Sequence, residues 1–366
     1  MRTAGPLAGV RVLEIESIGP GPHACMILAD LGANVLRVSR PGGKTGVPHR
    51  PALNPILDRG RTAVVTVNLK SDEGRAEVLR LAGRADVLVE GYRPGVMERL
   101  GVGPDACHAI NPKLVYGRIT GWGRRGPMAP TAGHDINYIA LTGALHAIGP
   151  ESGPVQPLNL VGDFGGGSML LALGIVSALL EARTSGKGQV VDAAMTDGVS
   201  TLMAMTLGMK AVGRWTEPRA GNIFDGSHYY YACYRCKDGG WMAAGPIEAE
   251  FRRIFFDKLG LSAEAEALMA PERDRDPALR ARLESIFLSK TRAEWEAIFA
   301  GTDACVAPVL SIDEAAAHPH NREWDTLRVI DGAIHPMPSP RFSRTVPDVP
   351  VPAAQFRESL KADWGL

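Results

Sequence analysis

Val10-Arg-Val-Leu-Glu14, Ser17-Ile-Gly-Pro-Gly-Pro22, Ala24-Cys-Met-Ile-Leu-Ala-Asp-Leu31, Gly32 and Asn34-Val-Leu-Arg-Val38 follow one another near the start of the chain and decide its fold. A short apolar run of strand length, a Gly/Pro loop, a helical apolar run stopped by glycine and a second apolar run make a βαβ pattern. Beyond it, Thr62 to Val67 reads as a third strand leading into Ser71-Asp-Glu, an N-cap followed by two acids in the first helical turn. That helix runs to Arg84 and delivers the strand Asp86 to Glu90, and the alternation continues through Leu114 to Ile119. Alternating strands and helices place the first half in the α/β class with a mostly parallel sheet.

The pattern changes after Asp192. Residues 193–224 read as a long linker helix with Met, Leu and Ala spacing, ending in a stretch rich in Gly, Pro and Arg. From 225 to 303 a hairpin and the helices Glu248 to Leu259, Pro277 to Ser289 and Arg292 to Ala300 predict a smaller α+β domain, with Asp276 and Pro277 as a clear helix start. Residues 304–337 are Pro-rich and read as a return linker, after which about 338–366 complete the large domain of residues 1–192.

Composition excludes several classes of function. Hydrophobic residues at 45% and charged residues at 22% describe an ordinary globular chain. Forty Lys+Arg balance forty Asp+Glu, so no net field draws the protein onto nucleic acid or a membrane surface. An anionic ligand must then be held by local arginines. The longest mainly apolar stretch, Met169 to Leu180, falls short of the roughly 20 residues that span a bilayer and reads as a buried helix. Neither the opening Met-Arg-Thr-Ala-Gly-Pro-Leu nor the closing Asp363-Trp-Gly-Leu resembles a targeting address, so a cytoplasmic location is expected.

Five scattered cysteines (25, 107, 233, 236 and 305) argue against a disulfide framework. Cys233 and Cys236 form a C-x-x-C with no second pair at zinc-site spacing, inside a hairpin pattern, and read as strand cysteines. No metal site is expected. Gly19-Pro-Gly-Pro-His-Ala24 matches the dinucleotide fingerprint G-x-G-x-x-A, with Arg37 or Arg40 placed to meet a 2′-phosphate. That fingerprint works by offering backbone N–H groups to a pyrophosphate, and Pro20 and Pro22 have none. The segment therefore reads as a rigid turn.

The residues best suited to chemistry are His134 and Asp135, adjacent in Ala132-Gly-His-Asp-Ile-Asn-Tyr138, and Asp163 in Gly162-Asp-Phe-Gly-Gly-Gly-Ser168. Moving a proton on and off carbon needs groups that accept and donate near neutrality. Histidine, at about 6.5, does both, whereas a carboxylate at about 3.9 donates only when burial or a neighbouring acid raises it. Asp163 precedes an apolar helix, where such a rise is expected. Taken alone, His134 also reads as a structural loop histidine, Asp163 as the N-cap of a helix starting near Gly166, and Glu248 as an ordinary first-turn acid.

Several segments together carry a resemblance. Gly19-Pro-Gly-Pro22, Ala29-Asp-Leu-Gly-Ala33, Asn68-Leu-Lys70, Gly91-Tyr-Arg-Pro-Gly95, Thr120-Gly-Trp-Gly123, Gly133-His-Asp-Ile-Asn-Tyr138, Gly162-Asp-Phe-Gly-Gly-Gly167, Gly188-Gln-Val-Val-Asp192 and Pro340-Arg-Phe-Ser-Arg-Thr345 run almost from end to end. The set resembles the family III CoA-transferase (CaiB/BaiF-type) superfamily and, within it, the α-methylacyl-CoA racemases. The resemblance implies a large domain with a Rossmann-like sheet, a smaller α+β domain and an interlocked homodimer. It implies interconversion of (2R)- and (2S)-2-methylacyl-CoA thioesters through an enolate, with His134 and Asp163 as the two acid/bases. Glu248, in Pro246-Ile-Glu-Ala, then orients or charges the histidine. The backbone N–H of Asp135 receives the enolate oxygen, and its side chain supports the turn.

Arg40 and Arg93 resemble contact positions for the phosphates of CoA, and Arg61 is a further candidate; each also reads as a solvated surface charge. CoA enters as part of the substrate, so no separate cofactor is expected. Two alternatives stay open, a CoA-transferase with Asp163 as the nucleophile and a non-catalytic CoA-binding protein. A transferase has no need of His134. Met203, Met205 and Met209 suit an adaptable acyl surface, although methionine at such spacing is commonly core.

Overall fold

The computed structural model describes residues 4–42 and 54–366; the first three residues, on which part of the leader reading falls, lie outside them. The chain divides into two compact units, one made of Met1–Thr142, Pro157–Ala204 and His318–Leu366, the other of Gly143–Gln156 and Met205–Ala317.

In the first unit, β1 (Arg11–Ile15), β2 (Asn34–Ser39), β3 (Arg61–Thr66), β4 (Val87–Glu90), β5 (Val115–Thr120) and β6 (Val190–Ala194) form one sheet in the order β3-β2-β1-β4-β5-β6. Every neighbouring pair is parallel. The order reverses between β1 and β4, the place where doubly wound sheets open a crevice at their carboxyl ends. Side chains alternate between two cores, as the two-residue period of a strand requires. Val12 and Val87 pack with Ala24, Leu28, Leu171 and Ile175 on one face, Leu13 and Leu88 with Leu81, Tyr116 and Trp364 on the other. Both faces being covered explains why Val12 and Leu13 in β1 and Val87, Leu88 and Val89 in β4 are consecutive apolar residues.

Helix α1 spans Pro20–Asp30, four residues earlier than the sequence reading began it at Ala24. The prolines explain the difference, because the first helical turn has N–H groups without intrahelical partners and proline loses nothing there. Helix α2, Asp72–Ala82, starts as expected, with Ser71 Oγ accepting the Gly74 N–H at 3.1 Å. The apolar stretch read as a buried helix is longer and less buried than expected. A π-helix, Leu160–Met169, runs straight into an α-helix, Leu170–Ser185, making 26 mainly apolar residues. By length and composition alone it is apolar enough to cross a membrane. Its inner face, Leu171, Ala172, Ile175 and Ala178, is buried and the helix packs on β5 and β6, while Met169, Leu173, Val176 and Leu180 are open to solvent.

A buried ionic knot ties the first three strands together. Glu14 of β1 accepts from Arg37 of β2 at 2.9 and 3.0 Å and from Arg61 of β3 at 2.9 and 3.0 Å. Arg37 also pairs with Asp58 at 2.7 Å. Burial alone would raise the Glu14 carboxyl, but the two guanidinium groups outweigh it and hold the group down at about 2. The chain's last turn closes the other face. Trp364 is fully buried and donates from Nε1 to Asn34 Oδ1 at 2.8 Å, while Asn34 Nδ2 donates to Leu360 O and to Asp363, each at 3.1 Å.

The domain boundaries differ from the sequence reading. Residues 193–224 are not one linker helix: β6 continues to Ala194, and the helices Met195–Leu202 and Ala204–Ala211 follow. Residues 143–156 join the second unit because His146 Nε2 meets Glu217 O at 3.0 Å and Arg219 Nε donates to Pro150 O at 3.2 Å. The predicted return linker is divided as well. Val306–Val309 (β9) completes a three-stranded antiparallel sheet with β7 (Ala232–Arg235) and β8 (Trp241–Ala244), and the chain returns to the first unit at His318. There β10 (Leu327–Ile330) and β11 (Ala333–Pro336) form a hairpin held to Arg59 through His335. The second unit's helices Ala249–Lys258, Pro277–Phe287 and Arg292–Phe299 match expectation, and Asp276 caps the middle one by accepting the Ala278 N–H at 2.8 Å. All five cysteines are free thiols, Cys233 exposed and Cys236 buried beside β7.

Candidate active site

At the carboxyl end of β5 the chain turns through Gly121-Trp-Gly123, and Trp122 meets Tyr138 edge to face at 4.7 Å. Tyr138 Oη in turn donates to Gly133 O at 2.5 Å, which fixes the turn just before His134. His134 is the N-cap of the helix Asp135–Leu141 and is exposed, with extended backbone (φ −132°, ψ 173°). Its own N–H donates to Asn137 Oδ1 at 3.0 Å, so the side chain of one helical residue steadies the backbone that carries the imidazole. Asp135 occupies the first helical position, where the N–H has no intrahelical acceptor.

Asp163 lies inside the π-helix rather than capping a helix at Gly166. The wide π turn appears mostly as short insertions at functional sites. Here it brings Asp163 against Asp135, whose Oδ2 accepts the Asp163 N–H at 2.6 Å. Gly162 makes this contact feasible: a Cβ there would lie 2.6 Å from the same Asp135 oxygen. Asn159 Nδ2 donates to Asp163 Oδ2 at 3.2 Å. The structure thus joins the helix start bearing His134 to the turn bearing Asp163 through one carboxylate.

Burial, chiefly, raises the Asp163 carboxyl above the ordinary aspartate value; the Asn159 hydrogen bond opposes the rise, the Asp135 charge adds to it and His134 opposes it. The Tyr138 phenol is pushed up to about 12, first by burial and then by the charge of Asp163. Asp135 itself is buried, and its Oδ1 has no hydrogen-bond partner among the described residues.

Arg40 and Arg93 are exposed and follow the carboxyl ends of β2 and β4, the strands on either side of β1. The Arg93 loop is pinned by Glu90 Oε2, which accepts the Tyr92 N–H at 2.7 Å. Arg61 is a different case. It is buried, and Nε, Nη1 and Nη2 donate to Glu14 twice and to the carbonyls of Leu57, Arg59 and Pro22. All five guanidinium donors are engaged inside the protein, so Arg61 has none left for an anion. Glu248 belongs to the second unit, where it is the exposed N-cap of the helix Ala249–Lys258 and makes no side-chain cap bond. Among the described residues no group of three or more His, Cys, Asp or Glu side chains is arranged to hold a metal ion.

Residues 7–355 match the CoA-transferase family III. The chain belongs to CoA-transferase family III. Within family III it is 44% identical to mouse alpha-methylacyl-CoA racemase over 348 residues, 94% of this chain and 88% of the relative. It is 40% identical to the human protein of the same name over 346 residues, with the same coverage. Among solved structures, a CAIB/BAIF family protein from Brucella suis superposes with a TM-score of 0.82 at 25% identity, covering 99% of this chain and 100% of that one. A hypothetical protein from Mycobacterium tuberculosis superposes with a TM-score of 0.79 at 30% identity, with the same coverage.

Two residues of this candidate site escaped the sequence reading. Asn159 carries a legible signal, since it stands four residues before Asp163, within reach along one helical face. Tyr138 carries no such signal, because its proximity to Asp163 follows from tertiary packing that spacing does not express. Chemically, an exposed imidazole and a raised carboxyl held by a common support form a pair able to exchange roles as acid and base.

Proposed function

We propose that the chain is an α-methylacyl-CoA racemase that interconverts (2R)- and (2S)-2-methylacyl-CoA thioesters by moving one α-proton. Inversion requires one group to remove the proton from carbon and another to return a proton to the opposite face. His134 and Asp163 take these parts. The observation that carries the reading is the Asp135–Asp163 hydrogen bond, which fastens the turn of one acid/base to the helix start of the other. The raised Asp163 carboxyl supports it, because a carboxylic acid that keeps its proton closer to neutrality can donate it. Removal of the α-proton leaves an enolate, and the Asp135 N–H is the donor assigned to its oxygen.

Arg40 and Arg93 are assigned to the phosphates of CoA, at the strand ends where doubly wound sheets bind ligands. The part given to Glu248, orienting or charging His134, rests on the family resemblance alone. A homodimer is included in the proposal. The outer face of the long helix, with Leu173 61% and Leu180 68% exposed, is a continuous apolar stripe of the kind that marks association surfaces. Five free thiols suit a reducing cytoplasm.

The test is incubation with one epimer of a 2-methylacyl-CoA in D2O, with and without an acceptor carboxylic acid. Deuterium at the α-carbon together with drift toward a mixture of epimers is the expected result. Transfer of CoA to the acceptor without α-exchange would make Asp163 a nucleophile and the protein a CoA-transferase.

A further inference from the structure

The segment Gly19-Pro-Gly-Pro-His23 lacks the N–H groups a pyrophosphate needs, and its place in the fold gives it another part. Gly19, the N-cap of α1, adopts φ 67°, a conformation costly for residues with a Cβ, and a Cβ built there would lie 3.3 Å from Asp163 Oδ2. One turn later, His23 Nδ1 is 2.6 Å from Ser168 Oγ, and the His23 ring lies against Phe164 with centroids 4.5 Å apart. Phe164 follows Asp163 directly, and Ser168 stands five residues on, one π-helical repeat.

The hydrogen bonds fix the state of this imidazole. Ser168 Oγ is buried and gives its one proton to Phe164 O at 2.9 Å, so toward His23 it can only accept. His23 Nδ1 must therefore carry hydrogen. Burial, then the Arg59 charge, pushes the imidazole down to about 4, which leaves it neutral at physiological pH. α1 is itself rigid, with Ala24, Cys25 and Leu28 in the core. A neutral, single-tautomer side chain on a core helix thus grips both ends of the π turn.

We infer that His23, acting through Ser168 and Phe164, is a positioning residue that holds Asp163 in its π turn beside the Gly19 gap. The geometry stands by itself; the kinetic consequence rests on the racemase reading. Tested on the full chain, His23→Leu and Ser168→Ala should speed amide hydrogen exchange across residues 160–169 by about tenfold. In α-deuterium exchange of a 2-methylacyl-CoA, kcat should fall by about tenfold to a hundredfold with KM changed by less than about twofold. The acid limb of the kcat profile should move to lower pH as Asp163 becomes better hydrated. His23→Asn, which keeps an N–H near the place of Nδ1, should recover most of the rate, and the double variant should fall no further than the worse single one.

Unchanged amide exchange in both His23→Leu and Ser168→Ala would overturn the inference. So would a rate loss that His23→Asn fails to rescue. Amide exchange needs no substrate, so an inactive wild-type protein would sink the racemase reading and leave the amide result to decide the positioning role.

Discussion

At Asp135 a backbone N–H at a helix start and a carboxylate oxygen 2.6 Å from the Asp163 N–H belong to the same residue. The two can be separated by substitution. Asp135→Asn keeps an acceptor for the Asp163 N–H but removes the charge that, after burial, raises the Asp163 carboxyl. The Asp163 value should then fall toward the ordinary one, so the acid limb of kcat, in the direction where Asp163 is the base, should move to lower pH. Asp135→Ala removes the acceptor too and should cost rate at every pH. At His134 the expectation is symmetric. His134→Ala should slow racemisation from either epimer by about a hundredfold to ten-thousandfold, because inversion in each direction uses both groups. Arg93→Ala should mainly raise KM, the signature of a contact that binds substrate and transition state alike. Steady-state kinetics from each pure epimer checks both.

Among the elements, the π-helix owes its position to a missing atom. Gly162→Ala places a Cβ where Asp135 Oδ2 lies 2.6 Å away, so the bond to Asp163 must open. Activity should drop by about a hundredfold while circular dichroism stays that of the parent. The parallel sheet was legible in the apolar runs from Val10 to Val38, and so were α2 and the Asp276 cap, because period and capping residues are local signals. What was not legible is equally specific. Asp135 meets a residue 28 positions away, and Arg61 meets Glu14 47 positions away. Spacing says nothing of such encounters, so Arg61 looked like a free surface cation when it is spent in the core. The start of α1 was misplaced because Pro20 and Pro22 signal a loop and a first helical turn equally well. The candidate acid/bases and Asp135 were legible as residue types, whereas the bond by which the Asp135 carboxylate couples them emerged only from the fold.

For the whole molecule, the Glu14 knot predicts an acid limit to stability. Its carboxyl is held at about 2 against an ordinary 4.5, so the stabilisation is fully present above about pH 4.5 and is lost as pH falls toward 2. Glu14→Gln should cost about 3–5 kcal/mol at pH 7, since it leaves the buried Arg61 guanidinium without a counter-charge and Arg37 with Asp58 alone. Urea titrations of both proteins across pH 3–7 would show the gap narrowing in acid. Association is the other molecular property at stake. If the proposed homodimer forms through the exposed stripe of the long helix, sedimentation should report a dimer for the parent and a monomer for Leu173→Glu, which puts a charge in that stripe.

Trp364 and its seat on Asn34 also bear on how the protein is made. The tryptophan that closes one core face leaves the ribosome 330 residues after its partner, about 15–65 s later at ordinary elongation rates. The sheet emerges early and waits with an open seam, and the second unit is synthesised during the wait. Until Trp364 emerges, that uncovered core face is the surface the nascent sheet presents to chaperones.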